Sequence, residues 1–123
     1  MQQTDIRATI QSYRQALEAR DLARCVAFYT EDATIHFGMG LYQGKEAIEE
    51  WHRERFAANL QLVRLREIQI EQDKAILDVL VSSDRLKLWR INTLHAMATI
   101  LFKGRRIKEV RFAARVSSPF EAW

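Results

Sequence analysis

The sequence predicts an α+β chain: three N-terminal helices packed on a curved, mainly antiparallel sheet, forming a cone-shaped half-open barrel. Three observations carry this. Up to about residue 59 apolar residues recur at helical spacing, and from Leu60 onward the pattern is extended. Hairpin signals stand at Asp73-Lys74 and Lys103-Gly104-Arg105. Helices come first and strands after, an α+β order rather than alternating βαβ units.

The elements follow in order. Thr4 reads as an N-cap, and Ile6, Ile10, Tyr13 and Leu17 then recur at spacings of four, three and four, one face of an amphipathic helix. Arg7, Gln11, Arg14, Gln15 and Glu18 cover its other faces. Asp21 reads as a second N-cap, for a short helix with the stripe Leu22, Cys25, Val26 and Tyr29 that ends at Glu31-Asp32. Ala33 to Phe37 is short and β-prone, and Gly38 to Gly44 is a loop. Lys45 to about Asn59 is the third helix, with Ile48, Trp51, His52, Arg55, Phe56 and Asn59 inward. Strands are expected near 61–72, 74–84, 91–103 and 106–116.

Length and composition bound the rest. The chain has 123 residues, 48% hydrophobic and 28% charged, which suits one globular domain over 1–123 with its core at about 5–116 and a tail at 117–123. The formal charge of +3 permits an anionic partner, but acids and bases are mixed along most of the chain. The run from Lys103 to Arg111 is basic but interrupted by Glu109, so a solvated hairpin is expected there, and no nucleic-acid partner. The lone Cys25 excludes an intramolecular disulfide and a Cys-rich zinc module, and its place on an apolar stripe suits an inert core thiol. His36, His52 and His95 have no metal-ligand spacing, so no metal is expected. The glycines at 38, 40 and 44 read G-x-G-x-x-x-G, one residue too long for a dinucleotide fingerprint, so no cofactor is expected and a turn at the cone's mouth is. No apolar run reaches membrane-span length and the start is polar, so a cytoplasmic protein without a membrane partner is expected.

One strand carries information about assembly. Leu94, Ala96, Ala98, Ile100 and Phe102 form one face, and Ile91, Thr93, His95, Met97, Thr99 and Leu101 the other. Both are largely apolar or neutral, whereas an antiparallel sheet normally keeps one face wet. Helices covering one face and a second copy of the chain covering the other would account for this. The expected partner is therefore a homodimer mate, through the outer face at His95, Met97 and Thr99. The alternative is that Phe120 and Trp123 fold back over that face.

The run Phe28-Tyr29-Thr30-Glu31-Asp32-Ala33-Thr34-Ile35 is followed by Gly44-Lys45-Glu46-Ala47-Ile48. In this element order it resembles the nuclear transport factor 2-like superfamily, in its SnoaL-like and ketosteroid-isomerase-like branches, over about residues 5–116. The resemblance implies a cone-shaped barrel with an apolar pocket open at one end, commonly dimeric. Such proteins include isomerases, dehydratases, epoxide hydrolases, cyclases, non-catalytic binding modules and assembly domains, so fold alone selects no chemistry. Ketosteroid isomerase uses an Asp base with a Tyr and a protonated Asp at the oxyanion. Carried over by position, Tyr13 matches the Tyr, Phe37 stands where the base belongs and Ala98 where the second acid belongs. A phenyl ring and a methyl group move no protons, so that chemistry is not expected.

The expected ligand is a small apolar molecule, in a pocket lined by Tyr13, Leu17, Ile35, Phe37, Trp51, Arg55, Phe56, Ala98, Val110 and Phe112. Tyr13 could hold a ligand carbonyl, or be a core tyrosine whose hydroxyl finds a backbone partner. His52 could be a general base and Arg55 could pair with a carboxylate, or both could lie along a helix edge. Asp78 could be an acid in the cavity, although Leu77, Val79 and Val81 make the drier parity and would turn it outward. The catalytic candidates are thus Tyr13, His52 and Asp78. They would serve an isomerase, cyclase or dehydratase-type enzyme on a small hydrophobic substrate. Against that stand a binding protein without the acid pair and a pure assembly domain.

Overall fold

The computed structural model describes residues 3–114. The fold-back of Phe120 and Trp123 and the last two residues of the expected final strand lie outside them. Helix α1 (Gln3–Glu18) buries Ile6, Ile10 and Ala16. Thr4 lies within its first turn rather than ahead of it, so the capping reading is corrected. The helix stops where Arg20 enters the left-handed region at φ 54. Asp21 then caps α2 (Leu22–Ala27), its carboxylate accepting from the Arg24 N–H at 3.2 Å.

From Tyr29 the chain is extended, not helical. Strand β1 (Tyr29–Phe37) is longer than the expected Ala33–Phe37 because Tyr29 pairs in parallel with Ile107, and the Ile107 N–H donates to Phe28 O at 2.7 Å. Parallel pairing with the last strand is a long-range contact that local spacing does not encode. The expected loop is also half strand: β2 (Gly40–Gln43) turns back on β1 with Phe37 opposite Gly40. Gly44 caps α3 (Lys45–Ala57) at φ 88, ψ 164, a region essentially confined to glycine. An added Cβ would meet only Glu31 O, at 3.9 Å, so strain rather than clash sets the cost. Gly44→Ala is expected to lower the unfolding free energy by about 1–3 kcal/mol, read as a lower urea midpoint with an unchanged slope.

The remaining strands are β3 (Gln61–Glu71), β4 (Lys74–Ser82), β5 (Leu94–Lys103) and β6 (Arg106–Ala114). The expected strands at 74–84 and 91–103 are shortened by helix α4 (Asp84–Leu88), whose cap Ser83 accepts from the Leu86 N–H through its hydroxyl at 3.2 Å. Asp84 therefore opens a helix instead of ending a strand. Among the described residues the sheet order is β2-β1-β6-β5-β4-β3, which joins β1 and β2 to the four strands expected after residue 60. Among the described residues only the β1–β6 pair is parallel, and the sheet is not closed. Register shifts in β3 and between Leu101 and Phe102 of β5 curl it.

Alternation sets the two faces. Ala75, Leu77 and Val79 of β4 and Ala96, Ala98, Ile100 and Phe102 of β5 are buried toward α1 and α3. Asp78, His95, Met97 and Thr99 stand half-buried on the opposite face. Among the described residues no helix is long and apolar enough to cross a membrane.

Candidate functional site

Between α1, α3 and the curled sheet lies a cavity of about 1080 Å³. Its depth is apolar: Ile10 on α1, Leu77 and Val79 on β4, Ala96, Ala98 and Ile100 on β5, and Val110 on β6 line it. Phe37, Trp51 and Phe112 add an aromatic wall, with Trp51 stacked on Phe112 at 5.4 Å between centroids and Phe37 edge-on to both. Toward solvent the lining changes character: Arg14, Glu18, Arg20, Glu54, Arg55, Arg85 and Trp89 ring the mouth.

The Tyr13 hydroxyl belongs to a chain of buried hydrogen bonds, and its protons can be placed. His52 Nδ1 lies 2.7 Å from Ile48 O, and a carbonyl only accepts, so Nδ1 carries a hydrogen. Burial pushes His52 down to about 4, which leaves it neutral near pH 7 with Nε2 as an acceptor. Nε2 lies 2.7 Å from Tyr13 Oη, so Tyr13 spends its one proton there. Tyr29 Oη, also 2.7 Å from Tyr13 Oη, must then donate to it. The chain Tyr29 to Tyr13 to His52 to Ile48 runs in one direction and is satisfied throughout. Burial, then the Tyr29 dipole and charge, raise Tyr13 well above the usual phenol value, and burial does the same for Tyr29.

Burial decides what this chain can do. To act as a base, Tyr13 would take a substrate proton while passing its own to His52, and the burial that pushes His52 down to about 4 opposes an imidazolium there. Nor does the Tyr13 proton face a ligand carbonyl while it is held by His52. The network fixes the Tyr13 ring rather than activating it.

The residues singled out from the sequence therefore separate. Tyr13, Leu17, Phe37, Trp51, Arg55, Phe56, Ala98, Val110 and Phe112 meet in the cavity wall. Ile35 is a correction: it is fully buried in the core and does not line the cavity. His52 is another, since it lies fully buried behind Tyr13 instead of along a helix edge at the mouth. Asp78 is the third. It lies on the other face of the sheet, as the drier parity of its neighbours indicates, and bonds His95 Nε2 there. Tyr29 is the residue that sequence reasoning missed, because its place on a helical stripe concealed a strand. Burial raises the Cys25 thiol to about 12, which makes it unreactive.

Comparison with known proteins places this architecture. The family model described as the SnoaL-like domain matches residues 10–110. A protein of Sinorhizobium meliloti, proposed to be a polyketide cyclase, superposes with a TM-score of 0.76 at 21% identity, over 92% of this chain and 100% of that one. An epoxide hydrolase/cyclase-like enzyme with a role in pyran ring formation in the polyether salinomycin superposes at 0.79 and 17% identity, over 90% and 91%. An NTF2-like protein of unknown function from Cytophaga hutchinsonii gives 0.72 at 14% identity, over 89% and 88%. At these identities the likeness is one of fold alone. No curated protein matches the chain.

Proposed function

We propose, from the premise that this chain belongs to the SnoaL-like domain family, that its cavity binds a small hydrophobic molecule without performing acid–base chemistry on it. The observation that carries this reading is a cavity of about 1080 Å³ whose depth is lined only by apolar side chains and one committed tyrosine hydroxyl. Phe37 and Ala98, which the sequence resemblance sets at the acid positions of ketosteroid isomerase, stand in its wall. The rival reading, an isomerase-, cyclase- or dehydratase-type enzyme, draws on the cyclase-like neighbour. It would have to work through Tyr13 and His52, which are tied to each other, and Asp78, which faces away. The third, a pure assembly domain, requires a cone filled by side chains.

A second copy of the chain on the outer sheet face belongs to the same proposal. Half-buried Ile76, Leu80, Met97 and Leu101 support it, on the face that carries His95 and Thr99. The partners are then an apolar ligand and a like chain, not nucleic acid or a membrane. Action in the cytoplasm belongs to the same proposal, and the lone, buried Cys25 is compatible with it.

A neutral, environment-sensitive apolar dye tests the cavity. Saturable binding at one dye per chain is expected. Ala98→Trp, which projects an indole into the depth, is expected to weaken it more than tenfold while the chain still unfolds cooperatively. Absence of saturable binding by the parent chain contradicts the reading.

A further inference from the structure

The charges of the cavity are sorted by depth. All six charged residues of its lining lie at the mouth, four arginines against two glutamates, and none lies among the apolar residues below them. A wholly apolar ligand would leave that excess of cation unanswered. Arg55 is the most buried of the four arginines. Its side chain is only 16% exposed, and its guanidinium carbon sits 4.5 Å above the Phe37 ring. Its ion-pair partner Glu54 is 43% exposed and touches Nη2 at 3.4 Å, a long contact to a solvent-screened carboxylate. Nη1 is buried and has no hydrogen-bond partner. One helical turn earlier, Trp51 Nε1 is buried and unpartnered as well. Native proteins seldom leave such donors unpaired, and these two share one wall of one cavity.

Resting on the binding reading above, we infer that the ligand is a single-headed amphiphile whose carboxylate pairs with Arg55 near the mouth, beside Trp51, while its apolar body fills the depth. A carboxylate is the planar acceptor that a guanidinium fork engages through two parallel N–H donors, and a neutral hydroxyl head offers no such match. Nη1 is covered by the packing of the wall in this conformation. The weak hold of Glu54 on Nη2 leaves the guanidinium free to turn off Phe37 toward a head group. The aromatic wall behind it then lies against the first methylenes of the ligand.

Calorimetric titration at pH 7 with decanoic acid and with its methyl ester separates this inference from the reading beneath it. The two probes share a chain and differ in charge. The parent chain is expected to bind the acid at least tenfold more tightly than the ester. Arg55→Leu is expected to bring the acid's affinity down to the ester's, with saturable binding of the ester retained as the report of an intact cavity. Arg55→Gln, which keeps polarity and loses charge, should do the same, and Arg55→Lys should retain part of the preference. Equal affinity of the parent chain for acid and ester overturns the inference and leaves the apolar cavity standing. A preference that survives Arg55→Leu overturns it too, since the head group is then held by other residues. Binding of neither probe overturns the binding reading and this inference with it.

Discussion

His52→Ala is expected to lower the unfolding free energy by about 3–4 kcal/mol and the thermal midpoint by roughly 10–15 °C. Two effects add. The imidazole is fully buried among the rings of Tyr13, Tyr29, Trp51 and Phe56, so its removal opens a cavity in a packed region. It also removes the acceptor of the Tyr13 proton, leaving a hydroxyl donor unpaired beside apolar walls. The same residue makes stability depend on pH, with a definite sign. His52 titrates near 4 in the folded chain and near 6.5 when unfolded, so between those values the unfolded state binds more protons. Stability is therefore full above about pH 6.5 and lost as pH falls toward 4. The loss reaches about 2–3 kcal/mol at pH 4.5, measured by urea unfolding. His52→Gln, which cannot take up the proton, should show a shallower slope over that window. An unchanged midpoint for His52→Ala would mean that the Tyr29–Tyr13–His52 chain contributes nothing to the fold.

Met97→Glu is expected to turn the proposed dimer into monomers, with the dissociation constant raised on the order of 1,000-fold or more. Met97 lies mid-strand on the outer face, between Asp78 of β4 and Ala113 of β6. A two-fold interface across that face would bury the new carboxylate twice. Because Asp78 stands directly opposite, the glutamate also meets a like charge within its own sheet. Met97→Lys removes that complication and should likewise give monomers. Light scattering reads the result, and an unchanged mass for both variants would place any interface elsewhere.

Much of this could be read from residue spacing, for stated reasons. The period of two in β4 and β5 identified the faces, including the outward direction of Asp78, because each strand has one fully apolar parity. The inward face of α3 was legible because Ile48, Trp51 and His52 fall on one stripe and are buried. Tyr29 was not, since a stripe of Leu22, Cys25, Val26 and Tyr29 fits a helix as well as it fits a helix followed by a strand. What decides is the parallel pairing to Ile107, remote in sequence. Helix α4 is five residues long, too short for periodicity to register, although Ser83-Asp84 carries its capping signal. The cavity itself was only half legible. Phe37, Ala98, Val110 and Phe112 could equally have filled the cone, and their spacing in the sequence does not say how much space the sheet leaves above them. The hydrogen-bond chain joins α1, β1 and α3, so no local pattern could announce it.

Native mass spectrometry of the chain as purified, followed by denaturing extraction, tests the central claim most directly. The account predicts a two-chain particle that carries one small organic molecule per chain, released on denaturation, apolar in body, and absent from Ala98→Trp. A particle of bare chain mass that also takes up no apolar compound under the same gentle conditions would contradict it.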